Sequence, residues 1–272
     1  MLVRIMTIRG TGPAAEAPRK AMVVGNWKMC ASRAQLTELR AVGDAAAHAA
    51  LDVVICPPFP LIHPAMRSAR GLSIGAQDCH HAVEGPFTGS VSPVMLREAG
   101  ASHVIVGHSE RRQAFGESDA DICAKAAAAI RARLMPIVCI GESADERDAG
   151  VAAAAVTRQL QRSLPALAKP DEIVLAYEPV WAIGSGSTPT SDEIAEMHGA
   201  IRGALRDIFG RGAEQVRLLY GGSVNAANAG WIAALADVDG VLVGNCSLAA
   251  QDFTPIIEAV GNAALKGQPL AA

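Results

Sequence analysis

A short apolar run recurs eight times along the chain: MVVGN (22–26), VVICP (53–57), LSIGAQ (72–77), HVIVGH (103–108), IVCIGE (137–142), IVLAYE (173–178), VRLLYG (216–221) and GVLVGN (240–245). The runs are rich in β-branched residues and nearly continuous rather than alternating, which is the pattern of strands buried on both faces. Between them lie Ala-rich amphipathic stretches with helix-start signals. Ser118 precedes DADICAKAAAAIRARL (119–134), with Asp121 placed to reach back to the cap. Thr190-Ser191-Asp192-Glu193 has the form of a capping box ahead of IAEMHGAIRGALRDIF (194–209). Strands that alternate with helices pair in parallel through right-handed crossovers. An open doubly wound sheet and a closed barrel both satisfy that rule. Eight units with no leftover edge strand, in a chain near the ~250 residues usual for such barrels, favour closure. The first strand also lacks the G-x-G-x-x-G turn of a dinucleotide fold. The expectation is an α/β protein, a (β/α)8 barrel of eight parallel strands ringed by helices. It forms one domain over residues 21–272, because no linker divides the chain after residue 20, and residues 1–20 read as a disordered N-terminal extension.

Of the 272 residues 50% are hydrophobic, enough for a large core, and the net charge of −3 is scattered. That balance argues against nucleic acid or an anionic membrane as partner and leaves small anionic substrates open. No run approaches the ~20 apolar residues of a membrane span, and residues 1–20 hold no signal peptide. Six dispersed cysteines without CxxC pairing suit reduced thiols in the cytoplasm. Cys79-His80-His81 invites a metal reading. Adjacent residues rarely converge on one ion and no second cluster completes a site, so no metal is expected.

In a barrel of this kind the C-terminal strand ends open on one face, and the reactive residues fall there. Asn26-Trp27-Lys28 follows the first run, His108-Ser109-Glu110 the fourth, Glu178 the sixth, Tyr220-Gly221-Gly222-Ser223 the seventh and Gly244-Asn245 the eighth. Taken singly each has a plain reading: a solvated acid, a hydrogen-bonded structural histidine, a surface lysine, ordinary glycine turns. GSGST (184–188) has no Lys before its Ser/Thr and is not a Walker loop. The fold collects all of them on one rim, and that coincidence reads as a site.

NWK (26–28), GAQD (75–78), GPFTG (85–89), VIVGHSERR (104–112), YEPVWAIG (177–184), YGGSVN (220–225) and DGVLVG (239–244) together resemble the triosephosphate isomerase family, in the family's order and over nearly the whole chain. The resemblance implies interconversion of dihydroxyacetone phosphate and D-glyceraldehyde 3-phosphate, a step of glycolysis and gluconeogenesis, with no metal or organic cofactor. It matches Glu178 to the carbon base, which has to be desolvated as the site closes. It matches His108, at a helix N-terminus, to a neutral electrophile. Lys28 matches the substrate-binding cation, Asn26 its polar neighbour and Glu110 a supporting acid. Main-chain N–H groups of Gly184, Ser223, Gly244 and Asn245 would hold the phosphate. Asn245 departs from the Gly common there. Pro179-Val180-Trp181 would be a stiff first hinge, Ala182-Ile183-Gly184 an apolar lid tip and Ser185-Gly186-Ser187 a second hinge. Thr88 matches a dimer arm inserted beside Asn26 and Lys28 of the partner subunit, which implies a homodimer. Cys30 and Ser90 depart from the pattern in that region. Two rivals share these features: an isomerase of a four-carbon ketose or aldose phosphate, and a non-catalytic sugar-phosphate-binding protein.

Overall fold

A computed structural model describes residues 19–69, 71–183 and 189–267. The eight apolar runs become β1 (Met22–Asn26), β2 (Asp52–Cys56), β3 (Ser73–Ala76), β4 (His103–Val106), β5 (Met135–Ile140), β6 (Val174–Tyr177), β7 (Arg217–Tyr220) and β8 (Gly240–Val243). They close into one barrel in sequence order, every neighbouring pair parallel. At the closing seam Val23 lies opposite Val241 and Met22 opposite Gly240. Gly240 has φ +147°, and a Cβ there would run into the Met22 carbonyl. The seam therefore needs glycine.

The near-continuous hydrophobicity of each run has a two-sided cause. Successive side chains point to opposite faces. Met22, Val24, Val54, Ile105, Ile137 and Leu219 fill the barrel interior. Their neighbours Val23, Val53, Ile55, Val104 and Val138 pack outward under the helices. Cys56 and Cys139 belong to the interior, where burial pushes both thiols well above their usual range and leaves them unreactive.

Both expected capping boxes form. Ser118 Oγ accepts the Asp121 N–H while Asp121 Oδ2 accepts the Ser118 N–H, starting the helix Asp119–Arg131. Thr190 and Glu193 do the same for the helix Ser191–Phe209. Of the leader, residues 1–18 lie outside the described residues. Arg19 and Lys20 are tied to the barrel's N-terminal end, Arg19 Nε 2.6 Å from Asp239 Oδ1 and Lys20 Nζ 2.6 Å from Asp52 Oδ1. Among the described residues no helix is long and apolar enough to cross a membrane.

His198, inside the helix Ser191–Phe209, is fully buried; its Nδ1 lies 2.9 Å from the Asp237 carbonyl and so carries the ring proton, while Nε2 has no partner among the described residues. Burial lowers its pKa from the usual 6.5 to about 4. Between those values the unfolded chain binds a proton that the folded chain refuses, so acid favours unfolding. Stability is expected to fall as pH drops from about 6.5 to 4, by an amount on the order of 3 kcal/mol from this group. Urea midpoints across that range check it, and His198→Gln should flatten the slope; an unchanged slope in the variant would assign the effect elsewhere.

Candidate active site

Asn26, Lys28, His108, Glu110, Glu178, Ser223, Gly244 and Asn245 line one cavity of about 540 Å³ at the C-terminal end of the barrel. The barrel thus brings together eight of the positions expected to act. Gly184 lies outside the described residues. Thr88 sits elsewhere, exposed on the arm that follows β3.

Glu178 leaves β6 directly. Its N–H donates to the Ile140 carbonyl at 2.8 Å, which continues the ladder to β5 one residue past the strand. Gly141 makes this possible, because a Cβ at 141 would overlap the Glu178 carbonyl. The carboxylate is almost wholly buried. Oε2 accepts the Ser109 N–H at 2.9 Å. Oε1 lies 3.0 Å from His108 Nε2, yet the pair is not aligned as a hydrogen bond, and among the described residues Oε1 has no partner. Desolvating a carboxylate oxygen without pairing it is costly, so such an atom points to function.

His108 caps the helix Ser109–Phe115, as its sequence position suggests. Its Nδ1 accepts the Glu110 N–H at 3.2 Å. A nitrogen that accepts a main-chain N–H carries no proton, so the proton of the neutral ring sits on Nε2, beside Glu178. Lys28 Nζ lies 2.5 Å from Glu110 Oε1, and Asn26 Oδ1 accepts the Lys28 N–H at 3.1 Å. Lys28 itself has φ +48°. The cavity therefore presents an ammonium, an imidazole N–H and a carboxylate with one free oxygen, enough to bind an anion, polarise a carbonyl and accept a proton.

The loop after Glu178 differs from the expected exposed tip. Ala182 is fully buried, and the Trp181 indole donates to Glu142 Oε1 at 2.8 Å. Tyr177 Oη donates to the same oxygen at 3.0 Å, and Arg147 lies over the Trp181 ring at 4.7 Å. Trp181, expected in the stiff segment before the tip, is thus anchored by its indole and by Arg147. Glu142 was not among the expected site residues, although it ends the run IVCIGE as Glu178 ends IVLAYE. Cys79 does not join the two histidines: its thiol faces the Lys125 carbonyl, while the His80 ring stacks on His81 and lies tilted against Phe87.

A family model described as triosephosphate isomerase matches residues 21–260. The triosephosphate isomerase of Xanthobacter flavus is 52% identical over 247 residues, spanning 90% of this chain and 99% of its own. That of Afipia carboxidovorans is 52% identical over 244 residues, 88% of this chain and 97% of its own. Among solved structures, the triosephosphate isomerase of Bartonella henselae aligns with a TM-score of 0.83 at 41% identity, covering 88% of this chain and 98% of that one.

Proposed function

The chain belongs to the triosephosphate isomerase family, and on that premise we propose how its residues divide the reaction. The reaction interconverts dihydroxyacetone phosphate and D-glyceraldehyde 3-phosphate by moving a proton between adjacent carbons through an enediolate. Glu178 takes the carbon-bound proton and returns it to the neighbouring carbon. Among the described residues its Oε1 has no hydrogen bond to give up, and its Oε2 has the one from Ser109. His108 donates from Nε2 to the oxygen that gains charge as the proton leaves. Lys28 offsets the charge of phosphate and enediolate, with Glu110 holding the ammonium and Asn26 the turn beneath it. Ser223, Gly244 and Asn245, with Gly184, offer main-chain N–H groups to the phosphate. Asn245 opens the short turn Asn245–Ser247, whose first N–H groups have no acceptor within the turn. The observation that carries the reading is the buried, unbonded carboxylate oxygen beside the imidazole nitrogen in a cavity that also holds Lys28.

The same reading makes the enzyme a cytoplasmic homodimer. Support comes from apolar side chains left in solvent beside the site and along the arm: Met29, Val83, Phe87, Val94 and Met95, with Thr88 among them in sequence. A lone subunit has no use for such a surface. The free cysteines fit a reducing compartment.

Assaying dihydroxyacetone phosphate and a four-carbon ketose phosphate side by side in deuterated water tests the assignment. The expected result is higher kcat/KM on the three-carbon substrate, with solvent deuterium entering the product. Binding without exchange would make the chain a mere carrier of sugar phosphates, and a clear four-carbon preference would change the substrate.

A further inference from the structure

Among the described residues four non-glycine positions have positive φ: Lys28, Ala50, Arg133 and Asp237. This backbone region crowds a Cβ against its own chain and needs outside support. Ala50 and Arg133 follow helices, where a left-handed residue is a common ending. Lys28 follows a strand, where one main-chain bond, from the Cys30 N–H to the Trp27 carbonyl at 3.2 Å, closes the turn around it, and side chains hold both of its own peptide groups.

Two side chains do so. Asn26 Oδ1 takes the Lys28 N–H at 3.1 Å. On the other side, Gln77 Nε2 donates to the Lys28 carbonyl at 2.9 Å and to the Cys56 carbonyl at 2.9 Å. An amide NH2 has two hydrogens, and here both meet carbonyl oxygens, which also decides which end of the amide is nitrogen. Cys56 ends β2 and already accepts the Trp27 N–H at 3.1 Å. Gln77, one residue beyond β3, therefore ties the turn that carries Lys28 to the end of β2. The Lys28 side chain then runs past Gly244, where a Cβ would lie 3.4 Å from Lys28 Cε, to reach Glu110.

We propose that Gln77 is a positioning residue for the ammonium: it locks the Lys28 backbone in the left-handed turn from which Nζ enters the cavity. The assignment rests on Lys28 serving the substrate as described above. Few other side chains fit the task, since it takes two donors on one planar group, with no positive charge to compete with Lys28 for the anion. A carboxylate of the same length would set lone pairs against two carbonyls.

A double-mutant cycle tests it. Gln77→Met keeps the length and removes both donors; it is expected to lower kcat/KM by about 10–100-fold, chiefly through KM, with circular dichroism unchanged. Gln77→Glu, the second variant, should lose at least as much. In a Lys28→Ala background, Gln77→Met should cost less than about threefold further, because the group it positions is gone. Equal fold-losses in both backgrounds would show that Gln77 serves the fold as a whole and overturn the assignment, as would wild-type KM in Gln77→Met. Wild-type activity in Lys28→Ala alone would instead overturn the reading of Lys28, and the proposal with it.

Discussion

Glu178→Gln is expected to lower kcat by about 10²–10⁴-fold while substrate still binds. The exchange keeps the side chain's length and shape. The amide oxygen still accepts the Ser109 N–H that now binds Oε2. What the amide cannot do is take a proton from carbon. Nothing else near the reacting carbons replaces it: His108 holds its proton on Nε2, its other nitrogen being committed to the Glu110 N–H, and Lys28 is tied to Glu110. Steady-state kinetics give the fall in kcat, and solvent-deuterium incorporation into bound substrate should slow in parallel. A variant that keeps kcat within tenfold would remove Glu178 from the role of base. A variant that instead loses binding would place the carboxylate among the groups that hold substrate.

The barrel was legible because its determinants are local. Two-sided burial makes each strand a short unbroken apolar run, and MVVGN or IVLAY can be read without knowing what packs on either face. The capping boxes at Ser118 and Thr190 span four residues each. The reactive rim follows from the fold, since each polar residue lies at or shortly beyond the C-terminal end of its strand. Less legible were the supports. Gln77 reaches Lys28 across 49 residues, and Trp181 meets Glu142 across 39. No local pattern announces such pairs, and an amide or a carboxylate at a strand end looks the same whether it is solvated or bridging. The segment after Glu178, with Ala182 fully buried at the expected apolar tip, shows the cost of this. Hydrophobic residues after an acid at a strand end suggest an exposed tip, yet Ala182 is fully buried, and a buried acceptor beyond the neighbouring strand gives the preceding indole N–H a partner. Glu142 uses one oxygen for three donors, Tyr177, Trp181 and Arg147, and among the described residues the other has no partner.

Stability should be lost at the opposite end of the barrel. Arg202→Met is expected to destabilise the protein by about 3–5 kcal/mol, the range for breaking a buried ion pair from one side. Arg202 is fully buried on the helix Ser191–Phe209. Its guanidinium donates to Asp237 Oδ1 and Asp239 Oδ2, both at 2.9 Å, and to the carbonyls of Ala213 and Val216 at 2.6 and 2.8 Å. Those acceptors stand just before β7 and β8, so one side chain gathers the two strand entries. Asp239 is itself enclosed: burial holds its carboxyl above the usual range, partly offset by Arg19, by the Leu218 N–H and by Arg202. Methionine fills similar space but abandons two carboxylates and two carbonyl oxygens, and Arg19 can answer only part of that. Lysine restores the charge without the planar fork, so Arg202→Lys should fall between the two. For a domain of this size the loss corresponds to a thermal midpoint lower by roughly 10 °C. The catalytic cavity lies at the other end of the strands, and kcat of the folded variant well below its midpoint should match that of the parent. A midpoint within about 2 °C of the parent's would show that the guanidinium contributes little beyond what it costs to bury.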